Sequence, residues 1–398
     1  MLFSKIKLVF VFALVGLIYI SCSKNKTGDS VPVNAAVNSN LIHFVFTSDP
    51  HYGLTKATFQ GANNVDASIV NAALVNKLNA LNAVTLPNDG GVNAGQTIDF
   101  VDCIITGGDI ANREETSSNI QAATISWNQF SKDYIANLKL TNRNKQKTDL
   151  FIVPGNHDVS NTVGYYASMA PPTDASSMIG MYNLMINPSI PKTAASFNYV
   201  TDKVHYSKDI QGIHFMFINL WPDSSERVWM VKDLQNVSST TPVFLFMHSI
   251  PNVEARFFTN PNNSQNINAT DKFENLLSEV FKDGTKTIND IAYIEQRAFT
   301  DFLKLRPNIK AFFHGHNNYN QYYVWQGPDN NISLNCFRVD SPMKGSVSAT
   351  DETKLSFQFV AVDTTTKNMT IRECLWNPTP SNPAAQVTWG TSATISLK

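Results

Sequence analysis

The sequence predicts an α/β domain in which strands and helices alternate and the strand ends carry the chemistry. Two observations predict it. Five short apolar and β-branched runs, Leu41–Phe46, Val101–Ile105, Leu150–Val153, Val243–Phe246 and Ile309–Phe313, each give way to a polar segment bearing Gly, Pro or His. That is the pattern of a buried strand opening into a loop. Between these runs lie segments whose apolar residues recur at helical spacing.

Taken in order, the first strand leads into Asp49-Pro50-His51. Asp66–Leu81 then sets Ile69, Ala73, Leu74, Leu78 and Leu81 at helical spacing. Val101–Ile105 precedes Gly108-Asp109, and Ser117–Leu138 reads as a second helix through Ile120, Trp127, Phe130 and Tyr134. Leu150–Val153 runs into Gly155-Asn156-His157-Asp158. A strand pair is expected at Ala195–Val200 with Val204–Tyr206, followed by a strand at Ile213–Ile218. Helices at Trp229–Leu234 and Ile294–Leu305 flank the fourth strand, which ends at His248. The fifth ends at Gly315-His316, and Ser356–Val362 with Met369–Cys374 forms a closing hairpin. No internal repeat is visible.

The five polar segments suit a site for two divalent ions. A metal pair about 3.5–4 Å apart can clamp the attacking and leaving oxygens of an in-line phosphoryl displacement. It needs a carboxylate able to bridge both ions, for which Asp109 is the candidate. Asp49 and His51 would then hold the first ion, and Asn156, His248 and His316 the second. His157, directly after a ligand in a tight turn, is better placed to face a substrate phosphate than to bind metal.

In this order the residues resemble the calcineurin-like metallophosphoesterases, whose pattern is D-x-H, G-D, G-N-H-[DE], H and G-H-x-H. The resemblance runs from about Leu41 to Thr370. It implies two packed mixed β-sheets flanked by helices, the metallophosphoesterase sandwich. It also implies a hydrolase of phosphate mono- or diesters acting through a dinuclear centre and a metal-bound hydroxide. Asp49, His51, Asp109, Asn156, His248 and His316 would be ligands, His157 the general acid or transition-state stabiliser, and Asp158 the carboxylate that orients it. The metals would be Mn, Fe or Zn.

Two departures matter. Asn318 stands where the family usually has a second histidine on the first ion, in His314-Gly315-His316-Asn317-Asn318. An amide oxygen is a harder, weaker ligand that favours Mn or Mg over Zn, and His314 is a possible substitute. A family member impaired in metal binding, which only binds a phosphorylated ligand, is the alternative reading. Asn112 stands where the similar purple acid phosphatases have a tyrosine, so an Fe(III) site of that kind is not expected. Asn112 and Arg113 could instead donate to phosphate oxygens.

Lys5 and Lys7 precede an apolar run from Leu8 to Ile20, and Ser21-Cys22 follows. Residues 1–22 therefore read as a signal peptide ending at a lipoprotein-type Cys22, and 23–40 as a flexible polar tether. The expected location is the bacterial cell envelope, anchored to the membrane by lipid. The domain proper spans 41–376, and 377–398 reads as a C-terminal tail. Lys and Arg number 31 against 32 Asp and Glu, so no basic surplus argues for nucleic acid. The expected partner is a phosphorylated small molecule or ester. Cys336 and Cys374 could pair, whereas Cys103 reads as a buried small hydrophobe. His43 and His214 lie inside strands and read as structural. Tyr165, Tyr166, Trp221, Phe257 and Phe258 are candidate pocket aromatics, Arg256 a possible phosphate contact, and Met169–Met185 a candidate lid.

Overall fold

Alternation along the first strand, β1 (Leu41–Thr47), sets the layering. Phe44 and Phe46 point to one side and Val45 to the other, as the two-residue period of a strand requires. Phe44 meets Phe215, Phe246 and Phe313 with ring centroids 5.4, 5.8 and 5.6 Å apart. Val45 shares the opposite core layer with Val70 and Leu74 of the first helix. The interior is thus a phenylalanine-rich layer between two sheets.

The computed structural model describes residues 40–112, 121–159, 174–199, 201–253 and 288–398. After β1 come β2 (Thr55–Phe59), β3 (Ala62–Asp66), α1 (Ala67–Asn79), β4 (Cys103–Thr106), α2 (Ala123–Phe130), β5 (Asp149–Ile152), α3 (Asn156–Val159) and α4 (Ser176–Ile186). Then follow β6 (Tyr206–Ile210), β7 (Ile213–Phe217), α5 (Ser224–Asp233), β8 (Val243–Phe246), α6 (Ile288–Lys304) and β9 (Ile309–His314). The chain closes with β10 (Gln321–Trp325), β11 (Leu334–Arg338), β12 (Ser356–Asp363), β13 (Asn368–Leu375) and β14 (Thr388–Ser396).

Two six-stranded mixed sheets result, ordered β14-β13-β12-β1-β4-β5 and β10-β11-β9-β8-β7-β6. β1, β4 and β5 are mutually parallel in the first, and β7, β8, β9 and β11 in the second. Parallel strands share one C-terminal edge, so their outgoing loops collect there. All five motif-bearing runs are strands, as expected, and α1 matches the expected first helix.

Four expectations are corrected. Residues 377–398 are not a tail, because β14 pairs antiparallel with β13 from Asn368↔Ser396 to Leu375↔Thr388. Ala195–Val200 gives no strand among its described residues. Its chain turns instead, with Phe197 N–H on the Thr193 carbonyl at 2.9 Å and Asp202 N–H on Asn198 at 2.8 Å. The hairpin at this point joins β6 to β7 across Gln211 and Gly212, whose φ values of 48° and 80° suit a two-residue turn matched to strand twist. Cys336 and Cys374 are free, buried thiols on strands of different sheets. The helix expected at Trp229 starts earlier, at Ser224, because the Asp223 carboxylate caps it by accepting from Glu226 N–H at 2.9 Å.

The expected leader, most of the expected tether, Arg113, Tyr165, Tyr166, Arg256, Phe257 and Phe258 lie outside the described residues. So does the first part of the expected Met169–Met185 lid, whose remainder forms α4.

Candidate metal centre

Each motif residue sits just past the C-terminal end of a parallel strand. Backbone bonds stitch the loops after β1 and β4 together: Asp49 N–H to Gly108 O at 3.0 Å, His51 N–H to Asp109 O at 2.9 Å, and Asn112 N–H to Tyr52 O at 2.9 Å. The loops after β8 and β9 join through Gly315 N–H and His248 O at 3.1 Å. Asp49, His51, Asp109, His316 and Asn318 take φ values of 56°, 42°, 53°, 69° and 55°. For non-glycine residues this left-handed backbone is strained by about 1–2 kcal/mol each, least for Asp and Asn. These turns carry Asp49, His51, Asp109 and His316 into one cluster. Gly155 is required by close approach, since a Cβ there would lie 2.1 Å from Asp109 Oδ1.

Asp109 is the hub. Its Oδ2 lies 3.3 Å from His248 Nε2, 3.5 Å from His51 Nε2 and 3.9 Å from His157 Nε2, while Oδ1 accepts His157 N–H at 2.8 Å. Two buried triads able to hold an ion share it, His51–Asp109–His157 and Asp49–Asp109–His248. Asp49 Oδ1 stands 3.6 Å from His51 Nε2, and its Oδ2 accepts His316 N–H at 3.1 Å. Asn156 Oδ1 lies 3.0 Å from His248 Nε2 and 3.1 Å from His316 Nδ1. The sequence-assigned ligands therefore converge, and Asn156 and His316 gather on the His248 side of Asp109.

The donor set fits divalent metal. Asp49 Oδ1 and both ring nitrogens of His51 are buried without a hydrogen-bond partner, and so is Asn318 Oδ1. Leaving such atoms bare costs about 1–3 kcal/mol apiece, which an ion would recover. His248 donates Nδ1–H to Gly107 O at 2.7 Å, turning the Nε2 lone pair inward as metal-ligating imidazoles do. Burial, and after it the Lys344 charge, lowers the His51 pKa. Burial opposes charge on His248 too, but the Asp109 and Asp49 carboxylates push its pKa up to about 9. Asp109 is likewise held well below the usual carboxylate range, against burial, by His248 and His157. The cluster thus gathers anionic charge that positive charge must balance.

His157 is oriented differently from the expectation. Its Nδ1 lies 3.0 Å from Asn112 Oδ1, so the amide, not Asp158, sets the ring. Asp158 accepts from the backbone N–H groups of Gly155, Ala111 and Ile110 at 2.9, 3.1 and 3.2 Å and from the Ser177 hydroxyl at 3.0 Å. It ties the β4 loop to α3 and α4, and burial together with the Asp109 charge pushes its pKa up to about 6. The Asn112 carbonyl oxygen faces His157, which leaves its amide N–H groups as the part that could donate to a phosphate. His314 is no substitute ligand: its Nε2 meets Tyr323 Oη at 2.7 Å, its Nδ1 meets Gly315 O at 2.9 Å, and burial lowers its pKa to about 3. Asn318, with its bare Oδ1, remains the amide candidate.

One site residue was missed by the sequence reading. Lys344 Nζ lies 3.4 Å from His157 Nε2. The signal was available in β11, an apolar run parallel to β9 that delivers its outgoing loop to the same edge.

The remaining histidines are structural, as expected for His43 and His214. His43 is fully buried and stacks on Phe100 at 4.7 Å, and burial lowers its pKa to about 4. His214 is clamped between Asp209 and Asp233, each at 2.8 Å. Trp221 is fully buried against Phe299.

A family model described as calcineurin-like phosphoesterase matches residues 42–320. A conserved uncharacterized protein from Streptococcus pneumoniae, a predicted phosphoesterase, is 9% identical with a TM-score of 0.30, over 89% of this chain and 98% of its own. A Vps29 single mutant from Entamoeba histolytica is 8% identical with a TM-score of 0.31, over 89% of this chain and 99% of its own. No curated protein matches the chain.

Proposed function

Because the chain belongs to the calcineurin-like phosphoesterase family, we propose that it hydrolyses phosphate esters with two divalent ions bridged by Asp109. The observation that carries this reading is the position of Asp109 Oδ2, within 3.5 Å of both His51 and His248, in a site with bare, buried ligand atoms. Asp49, His51 and Asn318 would hold one ion, and Asn156, His248 and His316 the other. Ions bound there supply positive charge for the phosphoryl oxygens and a nucleophile at neutral pH.

The protein's own residues supply the rest. His157 Nδ1–H is fixed by Asn112, so Nε2 is the atom that faces substrate. In its protonated form Nε2–H donates to a phosphoryl oxygen or passes its proton to the leaving oxygen. Asp158 keeps the turn that carries Asn156 and His157 closed. The bare Asn318 oxygen argues for a ligand over the metal-impaired alternative, and a hard amide donor in that shell favours Mn or Mg.

Chelation and reconstitution of the purified protein test the reading. Hydrolysis of an activated phosphate ester should vanish on stripping the metal and return on adding Mn. Activity that survives complete removal of metal would exclude it.

A further inference from the structure

Lys344 belongs to none of the five motifs, yet it is built into the site. Ser341, fully buried, donates its hydroxyl to Asp49 O at 2.8 Å and accepts Lys344 N–H at 2.9 Å and Met343 N–H at 3.2 Å. A single hydroxyl therefore locks the backbone of Lys344 to the turn that carries Asp49. The next residue, Gly345, packs so tightly that a Cβ would lie 1.8 Å from Ser348 Oγ and 2.4 Å from Asp340 Oδ1. From this fixed base the side chain reaches Nζ to 3.4 Å from His157 Nε2, while the residue stays exposed to solvent. Among the described residues no carboxylate lies within ion-pair distance of it. A cation with no anionic partner among the described residues, held beside the imidazole assigned to face substrate, is arranged for an incoming anion.

We propose that Lys344 binds a terminal phosphoryl oxygen together with His157 and makes the site selective for phosphomonoesters. This rests on the phosphoesterase reading above and names its substrate class. A monoester near neutral pH carries two negative charges and three terminal oxygens, so one oxygen remains for Lys344 when two face the metal side. A diester carries one charge and has a second ester group in place of that oxygen. That group can neither accept a charge-assisted hydrogen bond of the same strength nor leave the ammonium solvated.

The test compares Lys344→Met and Lys344→Arg with wild type, all loaded with Mn. p-Nitrophenyl phosphate serves as monoester and bis(p-nitrophenyl) phosphate as diester. Binding of inorganic phosphate and of dimethyl phosphate is measured separately by calorimetry. Lys344→Met should lose about 10- to 100-fold in kcat/KM on the monoester, the scale of a hydrogen bond to a charged group. It should weaken inorganic phosphate similarly and change diester hydrolysis and dimethyl phosphate binding little, with metal content unaltered. Lys344→Arg should restore most of the monoester activity. Equal losses on both esters would overturn the proposal and leave Lys344 as a support for His157. Unchanged phosphate affinity in Lys344→Met would overturn it as well. A wild-type protein that binds phosphate but hydrolyses neither ester would defeat the hydrolase reading alone, and phosphate affinity would still decide on Lys344.

Discussion

In the proposed mechanism, His157 and Asn112 form the part of the site that handles a proton rather than an ion. With Nδ1 held at 3.0 Å from the amide oxygen, truncating the imidazole removes the group facing substrate and leaves Asp49, His51, Asn156, His248 and His316 in place. His157→Ala should therefore lower turnover by roughly 10²–10⁴-fold, the usual scale for a positioned acid or base, while metal content stays at the wild-type level. Metal loss in that variant would make His157 a ligand, as its triad with His51 and Asp109 also permits. The ligand types were legible in the sequence because motif and strand end coincide. The partner of His157 was not. Adjacency suggested Asp158, but both residues lie in the short helix α3, where consecutive side chains point about 100° apart. Asp158 thus faces the Gly155 and Ala111 amides, and Asn112 reaches the imidazole through the backbone stitching of Tyr52 to the β4 loop.

At the scale of elements, β7 shows how a histidine in a motif-rich chain can serve the scaffold. Burial disfavours charge on His214, yet hydrogen bonds to Asp233 and Asp209 raise its pKa above the ordinary value. A raised folded-state pKa gives stability that is fully present below the unfolded value, near 6.5, and lost as pH rises through the folded one. The Asp233 pKa is lowered in turn, against burial, by His214 and Ser207, so its share is present above the ordinary carboxylate pKa and lost on acidification. His214→Gln should accordingly cost most stability near pH 5.5, with the gap to wild type narrowing at alkaline pH. Urea midpoints of both proteins at several pH values check this, and a gap independent of pH would contradict it. The elements misread from sequence share a physical cause. β14 is an edge strand rich in Thr and Ser, exposed along most of its length, so no apolar alternation marks it. The β6–β7 hairpin is signalled by its turn at Gln211-Gly212 more than by hydrophobicity, since Lys208 and Asp209 of β6 are exposed.

At the scale of the molecule, the site exists because two sheets end at one edge. β1, β4 and β5 bring Asp49, His51, Asp109, Asn156 and His157 from the first sheet, and β8 and β9 bring His248 and His316 from the second. The phenylalanine layer fixes the sheets face to face, with Phe246 stacked on Phe313 at 4.8 Å directly below the loops that carry these two histidines. Asp109 is where the two sheets' contributions meet, 3.3 Å from His248 and 3.5 Å from His51. Its carboxylate is accordingly the residue on which the two-ion claim depends. The most direct test is metal content per chain and turnover of Asp109→Asn beside wild type, both refolded or purified in the same metal. Wild type should hold about two ions, and the variant should lose at least one together with nearly all hydrolysis, because an amide cannot neutralise two cations. Full occupancy with wild-type turnover in Asp109→Asn would contradict the dinuclear site.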